Sequence, residues 1–221
     1  MQKHTENQKN LQKMLMKRQN KMPAPQNPLK QCDRWRGQTR QEIRGECVMV
    51  YTTEYQSPLG KMLLAADETA LTGLWFDGAK YYAQTLPPEH QMQETPVLTQ
   101  TKRWLDVYFS GQNPDFMPPL HPVGSAFRQE VWALLRQIPY GQTTTYGALA
   151  ELLAAKHGRE HISAQAIGGA VGHNPISILI PCHRVVGADG SLTGYAGGLD
   201  KKIELLRREG ADRSKFGCAK K

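Results

Sequence analysis

Residues 174–184 of this 221-residue chain read Asn-Pro-Ile-Ser-Ile-Leu-Ile-Pro-Cys-His-Arg, the most informative stretch of the sequence. An apolar run ends at Pro181 and is followed directly by Cys182. His183 and Arg184 come next. The thiolate is the nucleophilic form of cysteine, and a neighbouring positive charge or a histidine base raises its fraction at neutral pH. The segment therefore predicts a strand that delivers a reactive cysteine; the alternative is a buried structural cysteine.

A second unusual residue is Glu209, in the last turn of a helix predicted over 199–209. It follows the apolar residues Leu205 and Leu206 by four and three positions, which places it on or beside the buried face. The helix dipole disfavours a carboxylate at that end. Such an anion needs a partner, and a histidine that activates a cysteine would supply one. The alternative is a solvated glutamate paired with a neighbouring arginine.

The first half of the folded region predicts a small antiparallel sheet and one helix. Three runs have strand composition and are separated by turn residues, at 48–53, 61–66 and 71–76. Residues 95–110 predict a helix, because apolar side chains recur one turn apart. The proline-rich segment 114–122 comes after it and predicts a domain boundary.

The second half predicts three further helices before the last one, over 125–137, Tyr146–Lys156 and 164–171. Ser125 and Ser163 can cap the first and third of these. The second and third are joined by a short turn in a basic part of the chain, which fits a helix-turn-helix. Gly168 and Gly169 weaken the third helix, so we expect another group to approach its backbone closely.

The net charge of +8 and the pI of about 9.4 favour a nucleic-acid partner. The charge is uneven, with a net +7 in residues 1–47, −4 in residues 48–121 and +5 in residues 122–221. Residues 1–47 are rich in Gln, Lys and Arg and poor in apolar residues, so we expect a basic, disordered arm. That arm either adds nonspecific attraction to phosphates or is a dispensable extension.

Composition excludes several classes of protein. An apolar content of 39% supports a hydrophobic core, and no apolar run approaches the length of about 18 residues typical of a membrane span. No secretory signal is visible. The four cysteines are too widely spaced for a disulfide framework, so we expect a protein of the reducing cytosol, with a cytoplasmic location. Around Cys32 and Cys47 we find no convincing ligand set and expect no metal.

The segment Pro181–Val185, with Asn174-Pro175 upstream, resembles the active-site signature of the O6-alkylguanine-DNA alkyltransferases, also called methylated-DNA–protein-cysteine methyltransferases. Further stretches resemble motifs of that family in the family's order: Pro58-Leu59-Gly60, Tyr108-Phe109-Ser110-Gly111, Phe127 with Val131-Trp132, Ile138-Pro139-Tyr140-Gly141, Thr145-Tyr146-Gly147 and Gly194-Tyr195-Ala196-Gly197-Gly198. The resemblance extends over residues 48–210, and the arm lies outside it.

The resemblance implies an α+β fold with two domains. An N-terminal α/β domain with a small antiparallel sheet would occupy residues 48–121. A helical C-terminal domain, residues 122–213, would carry the helix-turn-helix and the active-site cysteine. Residues 214–221 would form a tail.

The resemblance also implies a reaction. The protein would transfer an alkyl group from O6-alkylguanine in double-stranded DNA to its own Cys182, once per molecule, as a monomer and without a cofactor. His183 would take the thiol proton through water, and Glu209 would orient His183. Asn174 would hold the local turn, and Tyr146 would donate a proton toward the leaving guanine. Whether O4-methylthymine is also a substrate is left open.

Substrate or DNA contacts are expected, by the same resemblance, from Ala164, Gln165, Gly168, Arg184, Val185, Tyr195 and Ala196. Two of these depart from the family pattern. Gln165 stands where an arginine usually fills the space of the flipped base, so base extrusion or lesion search would be weaker. Ala196 stands where some members have a serine, and the missing hydroxyl would change the range of alkyl groups accepted.

The sequence leaves three other functions to be weighed. Alkyltransferase-like proteins bind lesions but lack the cysteine, whereas Cys182 is present here. A helix-turn-helix regulator related to this family would carry a cysteine-rich regulatory domain, which the sequence does not contain. A cysteine hydrolase would need an oxyanion hole and would turn over repeatedly.

Overall fold

A computed structural model of the chain describes residues 49–211. The predicted arm, residues 1–47, and the predicted tail, residues 214–221, lie outside the described residues. None of the helices within 49–211 is long and apolar enough to cross a membrane.

A four-stranded sheet forms the first part of the fold: β1 (Tyr51–Ser57), β2 (Gly60–Ala66), β3 (Leu71–Phe76) and β4 (Gln91–Met92), in the spatial order β3-β2-β1-β4. The three predicted strands are confirmed as an antiparallel set, although β1 begins and ends later than predicted. The short β4 runs parallel to β1, so the sheet is mixed. The hairpin between β1 and β2 turns at Pro58 and Leu59, where the side chain of Ser57 accepts from the Leu59 amide at 3.1 Å.

Helix α1 (Pro96–Phe109) packs against the sheet and matches the predicted helix. Thr95 caps it, accepting from the Leu98 amide at 3.3 Å, and Pro96 occupies its first turn, where a missing amide proton does no harm. The buried face of α1 includes Leu98, Leu105 and Tyr108. At the end of α1, Tyr108 contacts Tyr140 and Glu209 in the second part of the fold.

The free edge of β3 binds two other segments. The amide of Leu71 donates to the Pro119 carbonyl at 2.8 Å, so the proline-rich segment lies along the sheet. The amide of Leu74 donates to the Pro175 carbonyl at 2.8 Å, and the Ser177 amide donates to the Leu74 carbonyl at 2.9 Å. These bonds attach the segment that precedes Cys182 to the sheet.

Four helices build the second part: α2 (Ala126–Leu135), α3 (Tyr146–Lys156), α4 (Ala164–Gly172) and α5 (Leu199–Arg208). The predicted caps are confirmed, since Ser125 accepts from the Arg128 amide at 3.4 Å and Ser163 from the Ala166 amide at 3.1 Å. Helices α3 and α4 pack as the predicted helix pair. The indole of the buried Trp132 on α2 donates to the Ala170 carbonyl of α4 at 2.9 Å, which fixes that pair to α2.

A second, two-stranded sheet joins the helix pair to the segment after Cys182. Strand β5 (Thr144–Thr145) lies directly before α3, and it pairs in parallel with β6 (Val185–Val186). The cluster of Val186, Leu192, Leu206 and Ala211 then packs α5 behind β6. The active-site segment is thus held between the edge of β3 on one side and β5 on the other.

Candidate active site

The apolar segment before Cys182 forms tight turns, so the strand predicted there is wrong. Ile178 lies in the left-handed region with a φ of 67°, which a β-branched residue rarely adopts. The Leu179 amide donates to the Ser177 carbonyl at 2.8 Å, and the Cys182 amide donates to the Ile180 carbonyl at 2.8 Å. Both bonds close three-residue turns, which bend the chain too sharply for a strand.

The side chain of Asn174 supplies the hydrogen bonds that a strand would otherwise have made. Its Nδ2 lies 2.8 Å from the Ile180 carbonyl oxygen and 3.1 Å from that of Ile176, while its Oδ1 accepts from the Ile176 amide at 3.0 Å. Nδ2 also lies 3.1 Å from Sγ of Cys182. Asn174 is buried, where unpaired backbone groups are costly. One amide side chain therefore shapes the turn and contacts the sulfur.

Cys182 begins a 3₁₀ turn, Cys182–Arg184, that leads directly into β6. Its thiol is buried, and it forms no disulfide within residues 49–211. Burial raises the pKa of Cys182, while the bond from Asn174 and the positive charge of Lys202 act in the opposite direction. Since burial favours the protonated thiol, the sulfur needs a nearby proton acceptor when it acts as a nucleophile.

His183 is fully buried and is oriented by a carboxylate. Its Nε2 lies 2.7 Å from Oε1 of Glu209. An ionised carboxylate can only accept, so Nε2 carries the proton and the lone pair of the neutral ring is on Nδ1. Burial lowers the pKa of His183 despite the opposing effect of Glu209, which favours that neutral ring. Nδ1 has no hydrogen-bond partner within residues 49–211 and is available to accept a proton.

Glu209 occupies the C-cap of α5 and is surrounded by donors. Its Oε1 accepts from His183 Nε2 at 2.7 Å, from the Tyr108 hydroxyl at 2.7 Å and from Nη2 of Arg184 at 2.9 Å. Its Oε2 accepts from Nε of Arg184 at 2.8 Å and from the Gly141 amide at 3.2 Å. The carboxylate therefore joins α1, the turn after α2, the 3₁₀ turn and α5.

Position 141 requires a glycine, because of both its backbone conformation and its close approach to Glu209. Its φ is 72°, and a Cβ at this position would approach the carbonyl oxygen of Glu209 to 2.7 Å. A larger residue would push the turn away from the carboxylate, because that contact is with rigid backbone.

The position predicted for Glu209 on the buried face of the last helix is confirmed, since the residue is 5% exposed. The alternative of a solvated glutamate paired with neighbouring arginines is wrong, because Arg207 and Arg208 pair with Glu204. Burial alone would raise the pKa of Glu209, but the hydrogen bonds from His183 and Arg184 and the positive charge of Arg184 outweigh it and hold that pKa well below its usual range. The carboxylate is thus ionised at neutral pH.

Arg184, predicted to contact the substrate or DNA, is turned into the protein, and its side chain is 11% exposed. Its guanidinium binds both oxygens of Glu209 and the Ile138 carbonyl, the last at 2.7 Å. A buried carboxylate requires a permanent positive charge nearby, and Arg184 supplies it.

Two residues near the site were missed by the sequence reasoning, Tyr108 and Lys202. Lys202 is fully buried on α5, and its Nζ donates to the carbonyls of Val185 at 2.6 Å and Thr193 at 2.8 Å. Burial lowers its pKa to about 8. Helical spacing could have indicated that Lys202 is buried, since it precedes Leu205 and Leu206 by three and four positions and so lies on the same apolar face.

Strand β6 and the loop that joins it to α5, which we call the pocket loop, contain three of the residues predicted to contact the substrate or DNA. Val185 is fully buried, and Tyr195 and Ala196 are half-buried. The Ala196 carbonyl accepts from the Lys80 amide at 2.9 Å, which ties the loop to the first part of the fold. The hydroxyl of Tyr146, at the start of α3, donates to the Thr193 carbonyl of the same loop at 3.3 Å.

The remaining predicted residues lie on α4. Ala164 and Gln165 are exposed in its first turn, and Gly168 is half-buried behind them. The ring of Tyr146 is 3.9 Å from the position of a Cβ on Gly168, which is ordinary contact, and no group within the described chain comes within 4 Å of one on Gly169. The close approach predicted for these glycines is therefore not made by any described protein group.

Replacing Glu209 with glutamine tests the role of the buried charge in stability. Glu209→Gln leaves Arg184 buried without its counter-charge, so we expect the free energy of unfolding to fall by about 3–5 kcal/mol at pH 7. The folded-state pKa of Glu209 is depressed, so its contribution is present above the ordinary glutamate pKa of about 4.3 and is lost as the pH falls further. The difference from wild type should therefore narrow below about pH 4.

Urea unfolding of both proteins between pH 3.5 and 8 measures this difference. The matched control is Glu204→Gln on the same helix, which removes an exposed pair and should change stability little. Equal losses in the two variants, or a difference independent of pH, would contradict a buried ionised Glu209.

Two family models match the chain. The 6-O-methylguanine DNA methyltransferase, ribonuclease-like domain, matches residues 49–122, and the DNA binding domain of the same family matches residues 126–211. Cys182, His183 and Glu209 lie within the second match, and Tyr108 lies within the first.

Curated and solved relatives agree with these matches. The chain is 42% identical over 161 residues to a methylated-DNA–protein-cysteine methyltransferase of Haemophilus influenzae, covering 72% of this chain and 86% of that protein. A Methanosarcina acetivorans protein of the same name is 39% identical and is covered to 99% of its length, for 73% of this chain.

The crystal structure of Mycobacterium tuberculosis O6-methylguanine methyltransferase is 36% identical with a TM-score of 0.62, covering 77% of this chain and 96% of that one. The Pyrococcus kodakaraensis structure, at 23% identity and a TM-score of 0.52, shares the fold. On this evidence the chain belongs to the methylated-DNA–protein-cysteine methyltransferase family.

Proposed function

We propose that this protein repairs double-stranded DNA by transferring the alkyl group of O6-alkylguanine to its own Cys182, acting as a monomer. The observation that carries the proposal is a buried cysteine, Cys182, followed in the chain by His183, whose ring is hydrogen-bonded to the buried carboxylate of Glu209. A crystal structure of the Mycobacterium tuberculosis relative is described as a complex with DNA. That relative is 35% identical, with a TM-score of 0.61.

The transfer step is an in-line displacement at the alkyl carbon. A bond forms between Sγ of Cys182 and that carbon, while the bond between the carbon and guanine O6 breaks. The guanine leaves with the electron pair of the broken bond. The thiol proton passes through water to Nδ1 of His183, and the imidazolium that forms is stabilised by Glu209.

The leaving guanine needs a proton, which Tyr146 would donate. Burial raises the pKa of Tyr146, so the phenol keeps its proton at neutral pH. In the free protein its hydroxyl is bonded to the Thr193 carbonyl of the pocket loop. A guanine ring nitrogen entering beside Tyr195 and Ala196 would replace that acceptor.

The alkylated base must leave the duplex before the buried sulfur can reach it. Enzymes that act on a base extrude it into a pocket, at a cost of a few kcal/mol that is smaller for a damaged or mispaired base. Helix α4 would enter the DNA groove with the exposed Gln165 at the vacated position. The thioether product is not readily hydrolysed, so each molecule would react once.

Labelled duplex DNA tests the transfer directly. The substrate is a duplex that contains O6-methylguanine with a labelled methyl group. We expect each protein molecule to take up one label, and peptide mass spectrometry should locate it on Cys182. Cys182→Ala should take up no label, whereas Cys218→Ala should react like wild type. Repeated turnover would indicate a hydrolase, and duplex binding without transfer would indicate a lesion-binding protein. Either result would overturn the proposal.

The variant Gln165→Arg tests whether residue 165 fills the space left by the extruded base. A guanidinium fills the space of the extruded base better than an amide, so we expect repair of duplex O6-methylguanine to quicken about 3- to 10-fold. Reaction with free O6-benzylguanine, which needs no extrusion, should not change. Gln100→Arg on α1 adds the same charge elsewhere on the surface and should affect neither reaction. Equal acceleration on both substrates would contradict a role in extrusion.

A further inference from the structure

Among the described residues, Tyr108 is the one from the first part of the fold that donates a hydrogen bond to Glu209. Its hydroxyl donates to Oε1 at 2.7 Å, and the side chains of Tyr108 and Glu209 are both buried. The residue lies in α1, within the match to the ribonuclease-like domain, residues 49–122. His183, Arg184 and Gly141 come from the DNA binding domain match, residues 126–211.

Packing fixes the ring of Tyr108 independently of its hydroxyl. The ring stacks on Trp104 at a centroid distance of 5.3 Å, and it meets Phe109 edge-on at 5.4 Å and Tyr140 edge-on at 6.1 Å. A phenylalanine would keep these contacts, since only one oxygen is removed. The hydroxyl can therefore be deleted without reshaping the core.

The hydroxyl and His183 bind the same oxygen of Glu209. Burial and the charge of Glu209 raise the pKa of Tyr108 well above its ordinary value, so the phenol donates throughout the working pH range. A donor on Oε1 restrains the rotation of the carboxylate and withdraws part of the electron density that His183 would otherwise receive. It does so without adding a charge, which distinguishes Tyr108 from Arg184.

We propose that Tyr108 is a positioning residue for the transfer reaction, holding Oε1 of Glu209 where it orients His183 and setting how strongly that oxygen binds the ring. The inference rests on the proposed function, because it concerns the same proton transfer. By this proposal a residue of the ribonuclease-like domain match affects a proton transfer in the DNA binding domain match.

The direction of the pH effect follows from the shared oxygen. The other titratable and charged groups facing this pair are Tyr140 from the turn after α2, Cys182 and Arg184 from the 3₁₀ turn, Tyr195 from the pocket loop and Lys202 from α5. Tyr108→Phe substitutes none of these residues. Without it, Oε1 binds an imidazolium more strongly, so the pKa of His183 rises. His183 must be neutral to accept a proton, so the acid limb of the rate profile should move to higher pH.

The experiment compares full-length Tyr108→Phe with wild type in single-turnover transfer from duplex O6-methylguanine between pH 5 and 9. We expect the rate constant at saturating DNA to fall about 3- to 10-fold, the loss of one hydrogen bond, with the apparent Kd for DNA within about 2-fold of wild type. The acid limb should move to higher pH. The matched control is Tyr55→Phe, which removes a bond of the same 2.7 Å length to Asp106 on the same domain and should match wild type.

A second variant keeps the test decisive if Tyr108→Phe fails to fold. Replacing Tyr108 with 3-fluorotyrosine retains the hydroxyl and strengthens it as a donor, so the acid limb should move to lower pH. The inference is overturned if a folded Tyr108→Phe matches Tyr55→Phe in rate and pH profile, or if the fluorinated protein leaves the limb unmoved. Failure of wild type to label Cys182 would instead overturn the proposed function, so the two failures are distinguishable.

Discussion

A single buried carboxylate organises this molecule. Glu209 sits at the end of a helix, where the dipole disfavours it, and away from the water that would solvate it. Five donor groups from Tyr108, Gly141, His183 and Arg184 compensate for the loss of that solvent. Because these donors come from three separate segments and Glu209 caps α5, satisfying the carboxylate also fixes the four segments relative to one another.

The sheet supports the same arrangement from the other side. The edge of β3 binds the proline-rich segment through Leu71 and the active-site segment through Leu74. Asn174 then shapes the turn that carries Cys182, and β6 anchors the residues beyond it. The sulfur is thereby held between two rigid attachments, which suits a reaction that depends on position and takes place once.

The sequence predicted the parts of this site that depend on local chemistry. The caps at Ser125 and Ser163 and the span of α3 follow from neighbouring residues, and Glu209 could be placed on a buried face by helical spacing alone. The strand predicted before Cys182 was wrong because the segment pairs with β3 only around Ile176, and beyond that point the Asn174 side chain and two tight turns satisfy its backbone. The bond from Tyr108 and the inward turn of Arg184 could not be predicted, since each depends on a partner distant in the chain.

We propose that the charge of Glu209, acting through His183, enables transfer to Cys182. The direct measurement is the single-turnover transfer rate of Glu209→Gln, with folding and duplex binding verified under the same conditions. We expect a rate about 10²- to 10⁴-fold below wild type at unchanged DNA affinity, since an uncharged amide cannot stabilise the imidazolium. A folded variant that transfers the alkyl group within about 3-fold of wild type would contradict the account.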